Sequence, residues 1–214
     1  MAFARCLAAS VSQLRRDVPT VHEQAEAAVA LSTEQGFPYW AAMGMILRGW
    51  GLAMQGQGEE GITKVRQGIA AFRATGAALY VPYFCSVLAD VAAHLGDTED
   101  GLQALAEAHT LMEQHEERWW EAEITRLRGV VLLRQTATPQ EEAEAWLRRA
   151  LDVARRQAAK SLELRAAINL SRLWQQQGKR AEAHELLAPI YSWFTEGFDT
   201  ADFQEAKALL AALA

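Results

Sequence analysis

Apolar positions recur at three- and four-residue intervals within segments of about 18 residues, which short polar turns separate. In the first half of the chain these segments end at Gly36, Gly56, Gly76 and Gly96. Glycine just past a helix end takes the left-handed conformation without a Cβ clash, so this spacing indicates helix ends. The pattern predicts an all-α fold with helices over residues 2–15, 19–35, 38–55, 58–75, 79–95, 98–116, 118–135, 139–158, 160–177, 179–196 and 200–213.

The helices form a repeat with a period of 40 residues. Residues 47–62 align with residues 87–102, which places Gly56 on Gly96, and further copies begin at Leu127 and Ile168. A helical repeat array is the usual structure behind such a period. Small residues, which let helices approach closely, recur at three equivalent positions of the repeat, called small slots below. The first is Gly49, Ala89, Gly129 and Ser171, the second is Gly61, Gly101, Ala143 and Ala183, and the third is Gly68, Ala108 and Ala150, with the larger Ile190 in the last copy.

Local signals refine the helix ends. The motifs that start at Thr20 and Thr138 resemble capping boxes, and Asp97 places an acid before a helix start. The third copy of the repeat has two extra residues in its turn, at Thr136 to Pro139. Pro189 lies inside a helical segment, so we expect a kink or a break near residues 185–188.

The predicted helices pair into hairpins. We place five hairpins at about residues 1–36, 37–76, 77–116, 117–158 and 159–197, and a closing helix at 199–213 that packs on the helix before it. The whole chain, residues 1–214, is then one repeat domain. Its first helix is apolar and has no polar cap before it.

Composition narrows the classes of function. The net charge is −6 and the charges are interspersed, so we expect no nucleic-acid partner. Basic pairs such as Arg148-Arg149 are interpreted as the solvated edge of an amphipathic helix. Two distant cysteines, the absence of a long apolar run and an N-terminus unlike a signal peptide favour a cytoplasmic protein with no membrane partner.

The order of small and large residues resembles the tetratricopeptide repeat (TPR). In one copy this order reads Gly49, Leu52, Gly56, Gly61, Val65 and Gly68. The resemblance implies a right-handed α-α superhelix in which the first helix of each hairpin lines a concave surface. These helices are called first helices below, and their partners second helices. Residues 34–62, 118–133 and 160–210 further resemble the C-terminal repeat region of large bacterial proteins that carry a class III adenylate/guanylate cyclase domain or a winged-helix domain, and a STAND-type P-loop ATPase. The chain has no GxxxxGK[ST] motif, so their enzymatic functions are not expected here.

Two sets of residues are candidates for ligand binding. Arginines on first helices, with one glutamate, form a candidate concave-groove site that could clamp a carboxylate or phosphate; the alternative is ion pairing within the repeat. Aromatic residues at a 40-residue spacing form a candidate rim for a peptide or apolar ligand; the alternative is ring stacking between hairpins. The first set is Arg48, Glu123, Arg126, Arg165 and Arg172, and the second is Trp40, Tyr80 and Trp120.

Catalytic chemistry has no support in the sequence. His109 and His115 are six residues apart, which is a poor spacing for two metal ligands on one helix face. No nucleophile motif occurs, and we expect no enzyme activity, metal or cofactor. The sequence favours a non-catalytic module that binds a protein or peptide or senses a signal. The alternative is a self-association element that pairs through the uncapped first hairpin.

Overall fold

The computed structural model describes residues 1–135 and 138–214, and within these ranges eleven α-helices and no strand occur. The all-α prediction is confirmed. The insertion predicted at Thr136 to Pro139 falls in part on the two residues outside the described ranges. The helices are α1 (Ala2–Leu14), α2 (Val18–Gln35), α3 (Pro38–Met54), α4 (Gly58–Ala74), α5 (Val81–Leu95), α6 (Thr98–His115), α7 (Glu121–Leu132), α8 (Gln140–Arg156), α9 (Lys160–Gln176), α10 (Arg180–Ser192) and α11 (Ala201–Leu213).

The turns between the helices repeat one backbone conformation. All four glycines that the sequence marks as helix ends have positive φ angles between 68° and 89°. Arg16 (φ 61°) and Glu116 (φ 55°) extend the same 20-residue interval on either side. Neither residue is a glycine, so the sequence predicts these two turns but not their left-handed backbone conformation. Side chains in this region of backbone space are strained, because the Cβ approaches the following carbonyl oxygen.

The chain divides into two compact units, residues 1–117 and 118–214. In the first unit, α1–α2, α3–α4 and α5–α6 are hairpins, and consecutive hairpins meet through α2–α3 and α4–α5. The first helices also contact one another, α1 with α3 and α3 with α5. Within the described residues, the second helices α2, α4 and α6 do not contact one another. In the second unit, α7 contacts α9 and α9 contacts α11. Helix α11 also packs on α10.

The small slots of the repeat are points of close helix contact. Within hairpin α3–α4, a Cβ built on Gly49 would lie 2.7 Å from the carbonyl oxygen of Gly61, so these two positions cannot carry side chains without movement. In the second unit, Ser171 is fully buried and its hydroxyl donates to the carbonyl of Ala183 at 3.1 Å. The row of small residues therefore sets the helix spacing, as the repeat alignment predicts.

Three local predictions need correction. The cap of α2 is Asp17, whose side chain accepts from the Thr20 amide at 3.2 Å, so Thr20 lies inside the helix. Pro139, not Thr138, precedes α8, and the Thr138 hydroxyl donates to the side chain of Gln135. Helix α10 continues through Pro189 and ends at Ser192, four residues earlier than predicted, so no break occurs near residues 185–188, and the alternative of a kink stays a prediction. The predicted cap of α6 is confirmed, because Asp97 accepts from the Asp100 amide at 3.0 Å.

Candidate functional site

The candidate arginines fall into both units. Arg48 lies on α3 in the first unit, where its guanidinium is 3.5 Å from a carboxylate oxygen of Glu26 on α2. Glu123 and Arg126 lie on α7, and Arg165 and Arg172 lie on α9, all in the second unit. The candidate groove site is therefore best examined in the second unit, where four of its five members are found.

A buried network of charged groups joins three first helices of the second unit. Arg126 donates from Nε and Nη2 to the two carboxylate oxygens of Glu123 at 2.8 and 2.7 Å, and from Nη1 to Asn169 at 2.8 Å. Arg165 donates to Glu123 at 3.2 Å and, from two nitrogens, to Asp202 at 3.0 and 2.7 Å. These five residues, named here the ionic network, connect α7, α9 and α11.

The ionic network favours the charged forms of Glu123 and Arg165. Burial by itself would raise the pKa of Glu123, but the guanidinium groups of Arg126 and Arg165 and their hydrogen bonds lower it to about 2. The same partners, Glu123 and Asp202, raise the pKa of Arg165 in spite of its burial. Two arginines thus face two carboxylates. The pair of Arg126 and Glu123 lies within one repeat, as the ion-pairing alternative predicts, whereas Arg165 pairs with acids outside its own hairpin. A role for Arg126 and Arg165 in ligand binding stays a prediction.

Sequence reasoning missed two members of the ionic network. Asp202 follows Arg165 by 37 positions and Asn169 follows Arg126 by 43, and both approach only because the first helices pack together. Asp202 lies in the first turn of α11, and no local motif in the sequence connects it with Arg165. The 40-residue period offered a usable signal, because it brings positions 37 to 43 residues apart onto neighbouring first helices.

Arg172 lies apart from the ionic network, beside an open groove between α9 and α11. Its guanidinium is 3.3 Å from a carboxylate oxygen of Glu205, and the two side chains are 44% and 28% exposed. The groove has a volume of about 500 Å³. Five of its lining residues are polar, Arg172, Gln175, Gln176, Gln204 and Glu205, and two are apolar, Ala208 and Leu209. We call this feature the α9–α11 groove.

Two of the candidate rim residues belong to one series of ring contacts in the first unit. Trp40 contacts Phe3 and Tyr39, with ring centroids 5.2 and 4.5 Å apart. The series continues from Tyr39 through Phe72 and Phe84 to Tyr80, at centroid distances of 4.7, 4.8 and 6.4 Å. Trp40 and Tyr80 are thus linked through the half-buried ring of Tyr39 and the buried rings of Phe72 and Phe84, and each is itself half-buried. Trp120, half-buried at the start of α7, belongs to the second unit.

Glu117 is a buried carboxylate in the first unit that the sequence did not single out. It is 5% exposed, and one of its oxygens accepts from the backbone amide of Tyr80 at 3.1 Å. Burial raises its pKa, and the hydrogen bond from Tyr80 opposes this effect. Tyr80 itself has a φ of 71°, so the carboxylate holds a strained residue at the start of α5.

Two clusters of arginine and tryptophan lie in the second unit. In one, the guanidinium carbon of Arg148 is 4.8 Å from the ring centroid of Trp174. In the other, Arg128 and Arg149 lie 4.4 and 5.4 Å from the ring centroid of Trp146. Cations at these distances from an indole are attracted by the electron-rich face of the ring. The basic pair Arg148-Arg149 thus contacts two different tryptophans and is more than a solvated helix edge.

Similarity to proteins of known structure is confined to the fold. Neither families of known sequence nor curated proteins give a match. A variant of nearly identical TPR-like repeats from a kinesin light chain-like protein of Podosopora anserina is 17% identical, with a TM-score of 0.59, over 88% of this chain and 92% of that chain. A second structure of such repeats is 16% identical, with a TM-score of 0.56, over 98% and 94% of the two chains.

These comparisons establish a TPR-like helical repeat fold, and the resemblance seen in the sequence is confirmed to that extent. None of the helices in the described ranges has the length and apolar character needed to cross a bilayer.

Proposed function

We propose that this chain is a non-catalytic interaction module that binds an extended peptide segment of a partner protein. The observation that carries the proposal is the α9–α11 groove. The side chains of Gln175 and Gln176 along it can both donate to and accept from peptide backbone groups, and Ala208 and Leu209 add apolar surface to its lining. The groove lies between two first helices of a TPR-like fold, the surface that the sequence resemblance implies for binding.

Arg172 is the anchor that the proposal assigns to this groove. Its pairing with Glu205 is exposed to solvent and contributes little to stability, so a ligand carboxylate can replace Glu205 at small cost. Arg126 and Arg165 lack this freedom, because both guanidinium groups hold buried carboxylates. Peptide binding is therefore assigned to Arg172 and the neighbouring glutamines.

The proposal is tested with a phage-displayed library of random peptides selected on the intact chain. Peptides that survive selection are expected to lose about tenfold in affinity, or about 1.4 kcal/mol, when Arg172 is replaced by alanine. Fluorescence polarisation of the labelled peptides measures the change. Arg66→Ala is the matched control, because Arg66 forms an equally exposed ion pair with Asp100 on another pair of helices. Failure to select any peptide, or an equal loss in the control, contradicts the proposal.

The sequence resemblance also suggests a setting for this module. We infer that it is a regulatory part of a larger bacterial signalling protein with an ATPase or cyclase domain, in the cytoplasm. The support is the resemblance of residues 34–62, 118–133 and 160–210 to the repeat regions of such proteins. Partner binding would then change the activity of the attached domain.

A second candidate function, self-association, has support from the outer face of α1. Phe3 and Val11 are 53% and 55% exposed. Forty residues later, at Met43 and Gly51, and forty residues later again, the same positions of the repeat are buried, and Gly51 faces α2 of the preceding hairpin. Helix α1 thus displays an apolar row that its equivalents cover, and a second copy of the chain could cover it.

Light scattering across a range of protein concentrations tests self-association. The expected result is a dimer for the unmodified chain and a monomer for Val11→Glu, because a carboxylate in an apolar interface is costly to desolvate. Leu79→Glu serves as the control, since Leu79 is a similarly exposed apolar residue (49%) outside α1. A monomer at every concentration, or dissociation by both substitutions, rules out pairing through α1.

A further inference from the structure

The two arginine–tryptophan clusters of the second unit differ in one group. In the cluster of Arg148 and Trp174, the carboxylate of Glu144 accepts from Arg148 at 2.7 and 3.0 Å and from the indole Nε1 of Trp174 at 3.0 Å. The Lys179 ammonium lies 3.8 Å from the same carboxylate. One carboxylate thus satisfies the guanidinium, the indole N–H and a nearby cation together.

The cluster of Arg128, Trp146 and Arg149 has no such carboxylate. Throughout the described residues, neither guanidinium lies within ion-pair distance of an acid, and no acceptor bonds the Trp146 Nε1. The Nε of Arg128 is buried and has no hydrogen-bond partner within that same part of the chain. Two guanidinium groups therefore contact one indole ring, and the buried Nε–H of Arg128 has no acceptor among the described residues.

Electrostatics favours an anion at this place. Two guanidinium groups over one ring repel each other, and the ring attraction compensates only in part. A carboxylate would replace this repulsion by charge-assisted hydrogen bonds, which are about twice as strong as neutral ones. The neighbouring cluster shows the arrangement with its carboxylate in place, where hydrogen bonds from Trp174 and Arg148 lower the pKa of Glu144 although burial acts to raise it.

We propose that Arg128, Trp146 and Arg149 bind a side-chain carboxylate of an acidic segment in a partner protein, as Glu144 is bound in the neighbouring cluster. This inference rests on the proposed function as an interaction module and adds the chemistry of its partner. A protein carboxylate is favoured over nucleic acid because acidic side chains nearly equal basic ones in number in residues 118–214, so a long phosphate backbone gains no net attraction from this unit.

The test measures binding of a fluorescein-labelled peptide of alternating glutamate and glycine, with both ends capped, to the intact chain at low salt. Arg149→Gln is expected to weaken binding about tenfold, and Arg128→Gln by a similar factor, because each removes one of the two cations. Arg156→Gln is the matched control: Arg156 is an exposed arginine on the same helix with no aromatic contact, and its loss changes the net charge equally. The control is expected to change affinity less than about twofold.

Several outcomes would overturn the inference. These are no binding of the acidic peptide, an equal loss with Arg156→Gln, or tighter binding of an oligothymidylate of the same length with the same arginine dependence. Arg149 is exposed, so its replacement keeps the test valid even if Arg128→Gln lowers stability, which circular dichroism reports. Arg172→Ala separates the two proposals. It should weaken acidic-peptide binding less than Arg149→Gln does, and library-selected groove peptides should in turn tolerate Arg149→Gln.

Discussion

Replacement of Glu123 by glutamine is expected to lower the free energy of unfolding of the second unit by about 3–5 kcal/mol. Glu123 is 7% exposed and is the carboxylate that Arg126 and Arg165 share. The amide of glutamine keeps the shape but removes the charge, so two buried guanidinium groups lose their common counter-ion. Urea unfolding followed by tryptophan fluorescence measures the effect, because five of the seven tryptophans lie in residues 118–214.

The exposed pair in the same unit provides the control for Glu123. Glu205→Gln removes the carboxylate that faces Arg172 at 3.3 Å, in a pair that water screens. It is expected to cost less than about 1 kcal/mol. Similar losses for the two substitutions would show that the ionic network adds no more than a surface ion pair.

Acid should reproduce the loss caused by Glu123→Gln. Folding lowers the pKa of Glu123 from its ordinary value of 4.5 to about 2. The stability that this carboxylate contributes is therefore present above pH 4.5 and is lost as the pH falls through about 2. The stability difference between the unmodified chain and Glu123→Gln should shrink over this interval, and a constant difference would contradict the assignment.

Two glycines of α3, two positions apart, should respond in opposite directions to alanine. A Cβ on Gly49 would meet the Gly61 carbonyl oxygen at 2.7 Å and the Val65 amide nitrogen at 2.8 Å. Backbone atoms of a packed helix cannot move aside easily, so Gly49→Ala is expected to lower the free energy of unfolding by about 3 kcal/mol. Thermal unfolding followed by circular dichroism at 222 nm, a helix band, and urea titration both report it.

Gly51→Ala is the matched control for Gly49→Ala. At Gly51 the nearest atom to an added Cβ is Val21 Cγ1 at 3.7 Å, which is ordinary van der Waals contact. Alanine is favoured over glycine inside a helix, so this substitution is expected to raise stability by about 0.5–1 kcal/mol. If Gly49→Ala also stabilises the chain, the small slots do not set the helix spacing.

The helices could be predicted closely because each depends on signals within its own segment. Gly36 and Gly96 end α2 and α5 in the left-handed conformation expected of them. Predictions were wrong where the signal depended on neighbours in space. Helix α7 begins at Glu121 instead of residue 118, after an aromatic pair, and Arg16 takes a glycine-like conformation that no local pattern indicates.

The candidate site was predictable in composition but not in connectivity. The sequence placed Arg126, Arg165 and Glu123 on neighbouring first helices, and the structure joins them. The sequence alone could not distinguish arginines that pair with acidic side chains of this chain from arginines that have no acidic partner among the described residues. That difference depends on Asp202 and Glu144, whose positions follow from packing between helices instead of spacing along one.

The regular backbone of the turns constrains how such a chain can change length. From position 16 to position 116 the chain reverses direction at every twentieth residue through the same left-handed conformation. Loss or duplication of a single helix would exchange the roles of first and second helices in everything that follows. Loss or duplication of a 40-residue segment preserves the alternation of first and second helices. A gene for this protein can therefore shorten or lengthen by whole hairpins, and first helices still contact first helices.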